Sequence, residues 1–151
     1  ALSIMAVKPG LIKAYVLFAP TSLDYRDNFY RWIAPPGRQV AQKFGPPATR
    51  HKIIDAYGTP DSKPDFWNGL SVSKHLQNIT EPVMVHQGTA DDSVPQAWSE
   101  KLEKTFRSAG QEITLYIYPG EKHEFSNAWP RVMKRSVEFF KSKLELPNRA
   151  F

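Results

Sequence analysis

The strongest constraint on the fold is a regular alternation of short apolar runs with amphipathic helical patterns in the second half of the chain. The run that begins with Val83-Met-Val is apolar, and residues 113–118 are rich in β-branched and aromatic side chains, which is typical of buried strands. Residues 95–109 and 128–144 carry apolar side chains at steps of three and four, which is typical of helices. This order predicts an α/β fold whose parallel strands are joined by right-handed crossovers.

A third strand is predicted near the start of the chain. Residues 14–19 form an apolar run that Pro20 closes, and we expect this strand to be buried on both faces, as parallel sheets require. Residues 1–7 have a helix-compatible composition but no capping signal, so we expect their helix to begin before residue 1. The expected fold is therefore α/β, with about three parallel strands and flanking helices.

The spacing of the apolar residues also predicts which side of each long helix faces the core. We expect the buried face of the helix over residues 95–109 to contain Ala97, Trp98, Leu102 and Phe106. We expect the face of the helix over residues 128–144 to contain Val132, Val137, Phe140 and Leu144.

The segment between the first two predicted strands has a different character. It begins with a stretch rich in Pro, Gly, Asp and Arg, in which only short helices fit between the breaking residues. We expect residues 21–80 to form a helical and irregular excursion over the surface. No shift in composition argues for a second domain, so residues 1–151 are predicted to be one domain.

Composition excludes several classes of partner. The net charge of +5 could indicate a polyanion partner, but the Lys and Arg residues of the two long helices alternate with Glu, as on solvated helix faces. We therefore expect no nucleic acid partner. The chain has no cysteine, so disulfides, thiolate metal sites and a cysteine nucleophile are excluded. Its first apolar stretch is interrupted by Lys8, Pro9, Gly10 and Lys13, so we expect no membrane span.

Two loops are the candidates for chemistry because each follows a buried strand. Gly88–Pro95 follows the second strand, and Pro119–Phe125 follows the third. In open α/β sheets, ligands and catalytic groups gather beyond the carboxyl ends of the strands. The carboxylates of Asp91 and Asp92 and the imidazole of His123 lie in these two loops.

The two loops carry a recognisable pattern. Gly-Thr-Ala-Asp-Asp-x-Val follows one strand, and Tyr-Pro-Gly-x-x-His-x-Phe follows the next. This combination resembles the prolyl oligopeptidase family of α/β-hydrolases, and it is similar to the related dipeptidyl peptidases, acylaminoacyl peptidases and esterases. The resemblance is strongest over residues 82–144 and loose over residues 21–79. It implies that the chain is the C-terminal portion of an α/β-hydrolase fold, with the N-terminal half of the sheet missing.

By this resemblance, Asp91 is the acid and His123 the general base of a Ser-Asp-His triad. A serine hydroxyl is a weak nucleophile until an imidazole removes its proton, and a carboxylate orients that imidazole. The order of acid before histidine also agrees with α/β-hydrolases. Asp92 remains the alternative acid, since either aspartate could instead be a turn former.

The sequence departs from the family in two places. No Gly-x-Ser-x-Gly is present, so we expect the nucleophile serine and the oxyanion hole to lie upstream of residue 1. Gln87 stands where many relatives have a histidine, and we assign it no catalytic role.

Other polar and aromatic residues have simpler explanations. The three remaining histidines show no metal-ligand spacing, so we predict no metal and no cofactor. Aromatic residues of the excursion could line a substrate pocket, although such residues more often anchor a segment onto its core. The histidines are His51, His75 and His86, and the aromatic residues are Tyr25, Phe29, Trp32, Phe66 and Trp67.

We therefore expect a serine hydrolase fragment acting on a peptide or an ester, which by itself lacks the nucleophile. The alternative is a non-catalytic hydrolase-fold module that acts in assembly or binding. In either case the open edge of the sheet should be covered by the missing N-terminal half or by a second copy of the chain. The sequence leaves the compartment open, with a slight preference for the cytoplasm.

Overall fold

The computed structural model describes residues 1–33 and 47–144, without the side chains of residues 47–50. The chain divides into two compact units. The first comprises Ala1–Thr21 together with His75–Phe151, and the second comprises Ser22–Lys74. The second unit lies within the excursion that the sequence separates from the strands.

The first unit contains a parallel three-stranded sheet. Its strands are β1 (Tyr15–Phe18), β2 (Val83–Gly88) and β3 (Ile113–Tyr118), in the order β1-β2-β3. In this register, the first residues of the three strands lie opposite one another, as do Gly88 and Tyr118 at the end of β2 and β3. The predicted α/β class with three parallel strands is confirmed.

Short and long helices alternate with these strands. The long helices agree with the predicted segments to within one residue at each end. The helices are α1 (Leu2–Val7), α2 (Tyr25–Asn28), α3 (Pro47–Tyr57), α4 (Pro64–Leu70), α5 (Gln96–Ser108) and α6 (Trp129–Lys143), with a π-helical turn at Phe29–Ile33 and 3₁₀ turns at Val72–Lys74 and Leu76–Asn78. In the part of the chain that the structure describes, no helix is long and apolar enough to cross a membrane.

The central strand β2 is buried along its whole length, whereas β1 is not. Tyr15 and Leu17 of β1 are buried, but Val16 is half-buried and Phe18 is exposed. The expectation that β1 is buried on both faces is therefore wrong for the face that carries Val16 and Phe18. The physical reason is incomplete coverage of this face: Phe18 contacts the rings of His86, Phe125 and Trp129 and still keeps 41% of its surface exposed.

The buried face of α6 differs from the predicted one. Val132, Ser136 and Phe139 are buried, while Val137 and Leu144 are exposed. Ser136 is accommodated in the core because its hydroxyl donates to the Val132 carbonyl at 2.9 Å.

The buried face of α5 agrees with the predicted one at Leu102 and Phe106 and differs at Ala97. Ser99, Leu102 and Phe106 are buried, whereas the predicted core residue Ala97 is exposed. The Ser99 hydroxyl donates to the side-chain oxygen of Gln87 at 2.7 Å.

The second unit is organised around an aromatic cluster. Phe29 and Trp67 are buried, and their ring centroids lie 5.0 Å apart. Tyr25 and Phe66 also pack against Trp67, at centroid distances of 5.7 and 5.2 Å. For Phe29 and Trp67, these contacts favour the packing interpretation over a pocket lining.

Candidate functional site

The loops that follow β2 and β3 are joined by hydrogen bonds. The Thr89 N–H donates to the Tyr118 carbonyl at 3.0 Å, and the Ala90 N–H donates to the Glu121 carbonyl at 2.9 Å. The Gly120 N–H donates to the Thr89 hydroxyl at 2.8 Å. These bonds fix the two loops against each other at the carboxyl edge of the sheet.

Gly88 allows this close approach. A Cβ atom at this position would lie 2.2 Å from the Glu121 carbonyl oxygen and 2.9 Å from the Lys122 carbonyl oxygen. Real Cβ contacts are longer than this, and the neighbours are backbone atoms that cannot swing away. Only glycine therefore lets the loop that carries His123 pack onto the end of β2.

The loop after β3 is anchored by Phe125. This residue is fully buried, and its ring lies edge-on to that of Tyr118 at 5.7 Å. Its φ of 54° falls in the left-handed region, which costs a residue with a side chain about 1–2 kcal/mol. Burial of the ring offsets this cost and fixes the turn two residues after His123.

Asp91 is held by its own loop. Its Oδ1 accepts hydrogen bonds from the backbone N–H groups of Ser93 and Val94, at 2.9 and 2.8 Å. The Asp91 side chain has no exposed surface. A turn in which the aspartate binds the amides that follow it leaves the other carboxylate oxygen available for a partner outside the loop.

That partner is His123. The distance between His123 Nδ1 and Asp91 Oδ2 is 2.9 Å, and the imidazole is 40% exposed. A neutral imidazole that donates its Nδ1 proton to a carboxylate keeps a lone pair on Nε2, which can accept a proton from another group. The pair therefore has the arrangement of a carboxylate-oriented general base.

The electrostatics keep Asp91 ionised. Burial by itself would raise the pKa of Asp91, but the hydrogen bonds from Val94, His123 and Ser93 outweigh it and hold the pKa below its usual value. A carboxylate that remains charged stabilises an adjacent imidazolium.

The alternative acid, Asp92, has a different environment. Its side chain is exposed, and its Oδ1 accepts a hydrogen bond from the Ser93 hydroxyl at 3.2 Å. Of the two neighbouring aspartates, Asp91 is the one that lies at 2.9 Å from His123. The geometry therefore favours Asp91 as the partner of the imidazole.

The other three histidines lie in three different environments. His51 is exposed, His75 is half-buried and His86 is fully buried within β2. Over residues 1–33 and 47–144, no three His, Cys, Asp or Glu side chains are grouped so that they could hold a metal ion.

His86 belongs to a buried hydrogen-bond chain that links β2, β3 and α6. Its Nδ1 lies 2.8 Å from the Tyr118 hydroxyl and its Nε2 lies 3.1 Å from Ser136 Oγ. Because the Ser136 hydroxyl donates to Val132, its oxygen accepts from His86 Nε2–H, and Tyr118 O–H then donates to Nδ1. Arg135 donates to the same tyrosine oxygen at 3.1 Å. Burial, with the nearby Arg135 charge, lowers the pKa of His86 to about 4.

Gln87 is a member of the site that sequence analysis missed. It is fully buried, and its Nε2 lies 3.3 Å from the same Asp91 oxygen that His123 binds. The available signal was a large polar amide next to His86 in a strand that begins with three apolar residues, immediately before Gly88. The contact itself joins residues on a strand and in a loop, so local patterns do not reveal it.

The chain matches one family of known proteins. A family model described as the prolyl oligopeptidase family matches residues 49–146, which is more than half of the chain. No curated protein matches the chain.

Solved structures with a similar fold come from larger proteins. The chain is 16% identical to Porphyromonas gingivalis dipeptidyl peptidase 4, with a TM-score of 0.67, over 94% of this chain and 18% of that one. It is 13% identical to a puromycin hydrolase, with a TM-score of 0.70, over 97% and 20% of the two chains. It is 20% identical to an acylaminoacyl peptidase, with a TM-score of 0.66, over 99% and 23%. At these identities the likeness concerns the fold, and the chain spans about a fifth of the length of these three proteins.

Replacement of Gly88 tests the close approach of the loops. We expect Gly88→Ala to lower the free energy of unfolding by about 1–3 kcal/mol, because the Glu121 backbone must move to make room. It should also separate His123 from Asp91. Urea unfolding measures the first effect, and the NMR signal of the hydrogen-bonded His123 Nδ1 proton measures the second. Gly69→Ala is the matched control, since a Cβ at Gly69 meets no atom within 4 Å; an equal loss in both variants would contradict the packing argument.

Burial of His86 should make the free energy of unfolding depend on pH. The unfolded chain binds a proton on this histidine near pH 6.5, whereas the folded chain binds it only near pH 4. Between these values the unfolded state holds more protons, so the free energy of unfolding should fall by roughly 3 kcal/mol as the pH decreases from 6.5 to 4. Thermal unfolding at several pH values measures this loss. His86→Gln should lose most of the slope and the exposed-site control His51→Gln should keep it; an unchanged slope in His86→Gln would refute the assignment.

Proposed function

Because the chain belongs to the prolyl oligopeptidase family, we propose that it supplies the acid and the base of a serine hydrolase triad. The observation that carries this proposal is the 2.9 Å contact between His123 Nδ1 and Asp91 Oδ2, at the ends of two adjacent parallel strands. The buried, ionised carboxylate and the half-exposed imidazole have the states that these two roles require.

In the proposed reaction, His123 Nε2 accepts the proton of a serine hydroxyl while the serine oxygen attacks the carbonyl carbon of a peptide or ester. Asp91 stabilises the imidazolium that forms, and His123 then gives the proton to the leaving amine or alcohol. Water attacks the resulting acyl-enzyme by the same route, which releases the acid and restores the serine.

The nucleophile of this reaction lies outside the sequence. None of the serines of the chain stands in a Gly-x-Ser-x-Gly turn, so we propose that the serine and the oxyanion-hole amides belong to the missing N-terminal half of the fold. The same observation favours a second candidate function. A hydrolase-fold module without its nucleophile would act in assembly or binding and would form no acyl-enzyme.

We further propose that another polypeptide segment covers the edge of β1. Phe18 and Trp129 are 41% and 47% exposed, and their rings pack against each other at a centroid distance of 5.9 Å. Phe18 also lines a cavity of about 320 Å³, whose walls are residues 1–2 and 16–21. An apolar surface next to an unpaired strand edge in the described sheet favours association. The candidates to cover it are the missing N-terminal half and a second copy of the chain.

The triad proposal predicts how substitutions change acylation. In the complete hydrolase that contains this chain, we expect His123→Ala and Asp91→Asn to lower kcat for an ester and a peptide anilide by about 10⁴-fold or more, because the serine loses its oriented base. Labelling by a fluorophosphonate should fall in parallel. Asp92→Asn and His51→Ala are the matched controls and should keep nearly full activity. Full turnover by His123→Ala would refute the serine mechanism, and a wild-type protein without turnover or label would support the module instead.

The exposed edge predicts association in solution. Intact mass and light scattering after size exclusion should find the chain within a larger covalent protein, bound to another chain, or paired with a copy of itself. Phe18→Glu should weaken non-covalent pairing, because a charge at the edge opposes burial of the apolar surface. Tyr57→Glu is the control, since Tyr57 is 50% exposed and lies in the other unit. A 17.2 kDa monomer with a cooperative melt would contradict the proposal.

A further inference from the structure

The carboxylate of Asp91 contacts the buried side-chain amide of Gln87. Gln87 lies in β2 immediately before the loop that carries Asp91, and it has no exposed surface. A buried primary amide has one oxygen acceptor and two N–H donors, and leaving them unpaired is costly. Here all of these groups find partners, and most of the partners belong to the loop of Asp91.

The Ser99 hydroxyl binds the end of the amide that faces away from the carboxylate. The buried Ser99 hydroxyl on α5 lies 2.7 Å from Gln87 Oε1 and donates to it. The two N–H donors of the Gln87 nitrogen are then shared among three oxygen acceptors: the Gly88 carbonyl at 3.0 Å, Asp91 Oδ2 at 3.3 Å and the Val94 carbonyl at 3.4 Å. A flipped amide would set its oxygen against these three acceptors, so only one orientation satisfies the site.

With Gln87 included, each oxygen of the Asp91 carboxylate has two donors. Oδ1 accepts from the backbone amides of Ser93 and Val94, and Oδ2 accepts from His123 Nδ1 and Gln87 Nε2. The backbone amides hold Oδ1 from within the loop. Gln87 holds Oδ2 from the sheet, which is a more rigid element, and so opposes rotation of the carboxylate away from the imidazole.

The same amide nitrogen also closes the loop. Its acceptors Gly88 and Val94 lie on either side of Asp91 in the chain, so one side chain connects the beginning and the end of the turn. We infer that Gln87, oriented by Ser99, is a positioning residue that holds Asp91 Oδ2 toward His123. This inference rests on the proposed hydrolase function, and it adds a residue pair that touches neither the substrate nor the reacting atoms.

A positioning role has consequences that simple core packing does not share. Loss of the Gln87 donor should lower kcat about tenfold or more while KM stays within about twofold, because orientation of the base matters in the transition state and little in binding. It should also weaken the NMR signal of the His123 Nδ1 proton, which depends on the hydrogen bond to Asp91. A residue that only fills space would lower the melting temperature without these two changes.

Three variants separate the contributions of the amide. Gln87→Met keeps the approximate volume and removes the donors. Ser99→Ala keeps the amide and removes the group that orients it. Gln87→Glu keeps the oxygen that accepts from Ser99, and its protonated form still donates an O–H where the amide donated an N–H. The ionised form instead sets a second carboxylate against Asp91, and close pairs of carboxylates raise the pKa of one member.

Ser136→Ala is the matched control for Ser99→Ala. Both serines are buried on long helices that pack on β2, but the Ser136 hydroxyl contacts His86 and Val132. The measurements are kcat and KM of the complete hydrolase, the His123 Nδ1 proton signal, and the melting temperature.

We expect Gln87→Met and Ser99→Ala to lose kcat and the Nδ1 proton signal, and Ser136→Ala to keep both at a similar cost in melting temperature. We expect Gln87→Glu to lose kcat as the pH rises through the pKa of the new carboxyl group, a transition that the wild type lacks.

Unchanged kcat and Nδ1 signal in Gln87→Met, or equal losses in Ser99→Ala and Ser136→Ala, would overturn the inference. If the wild-type protein shows no turnover, the hydrolase proposal fails, and loss of the Nδ1 signal in Gln87→Met still supports the positioning role.

Discussion

The close approach of two loops at the carboxyl edge of the sheet is the constraint on which the candidate site depends. Parallel pairing of β2 with β3 brings Gly88 beside Tyr118, so the loops that follow begin next to each other. Because glycine has no side chain, the Glu121 backbone packs directly on the end of the strand at Gly88. Asp91 and His123 meet because the backbone geometry places them together, and their 2.9 Å contact follows from it.

The polar groups beneath the site are buried and hydrogen-bonded. Asp91, Gln87 and Ser99 form one chain from the loop to α5, and His86 and Ser136 belong to a second chain that reaches α6. Buried polar groups destabilise a fold when they lack partners and make it specific when each is satisfied. Two such chains, on adjacent residues of β2, connect the strand that precedes the acid to α5 and α6, which both follow it in the sequence.

The described sheet is covered unevenly. β2 is buried along its length, whereas the β1 face that carries Phe18 and the α6 surface near Trp129 and Val137 are exposed. Apolar side chains in such positions have a folding role only if another surface covers them. This unevenness explains why the apolar pattern of α6 misled the prediction: Val137 and Leu144 belong to the apolar sequence pattern but are exposed in the described structure.

The sequence by itself determined the class of the fold, the two long helices and β3 to within a residue, and the two loops that hold Asp91 and His123. These properties follow from local periodicity and from strand ends, which can be read along the chain. Only the tertiary structure decided that Phe18 is exposed, that Ser99 and Ser136 are buried, and that Gln87 binds Asp91. The physical reason is that burial and hydrogen bonding of polar side chains depend on groups from different elements, whose distances and directions are set only when the sheet and helices pack together.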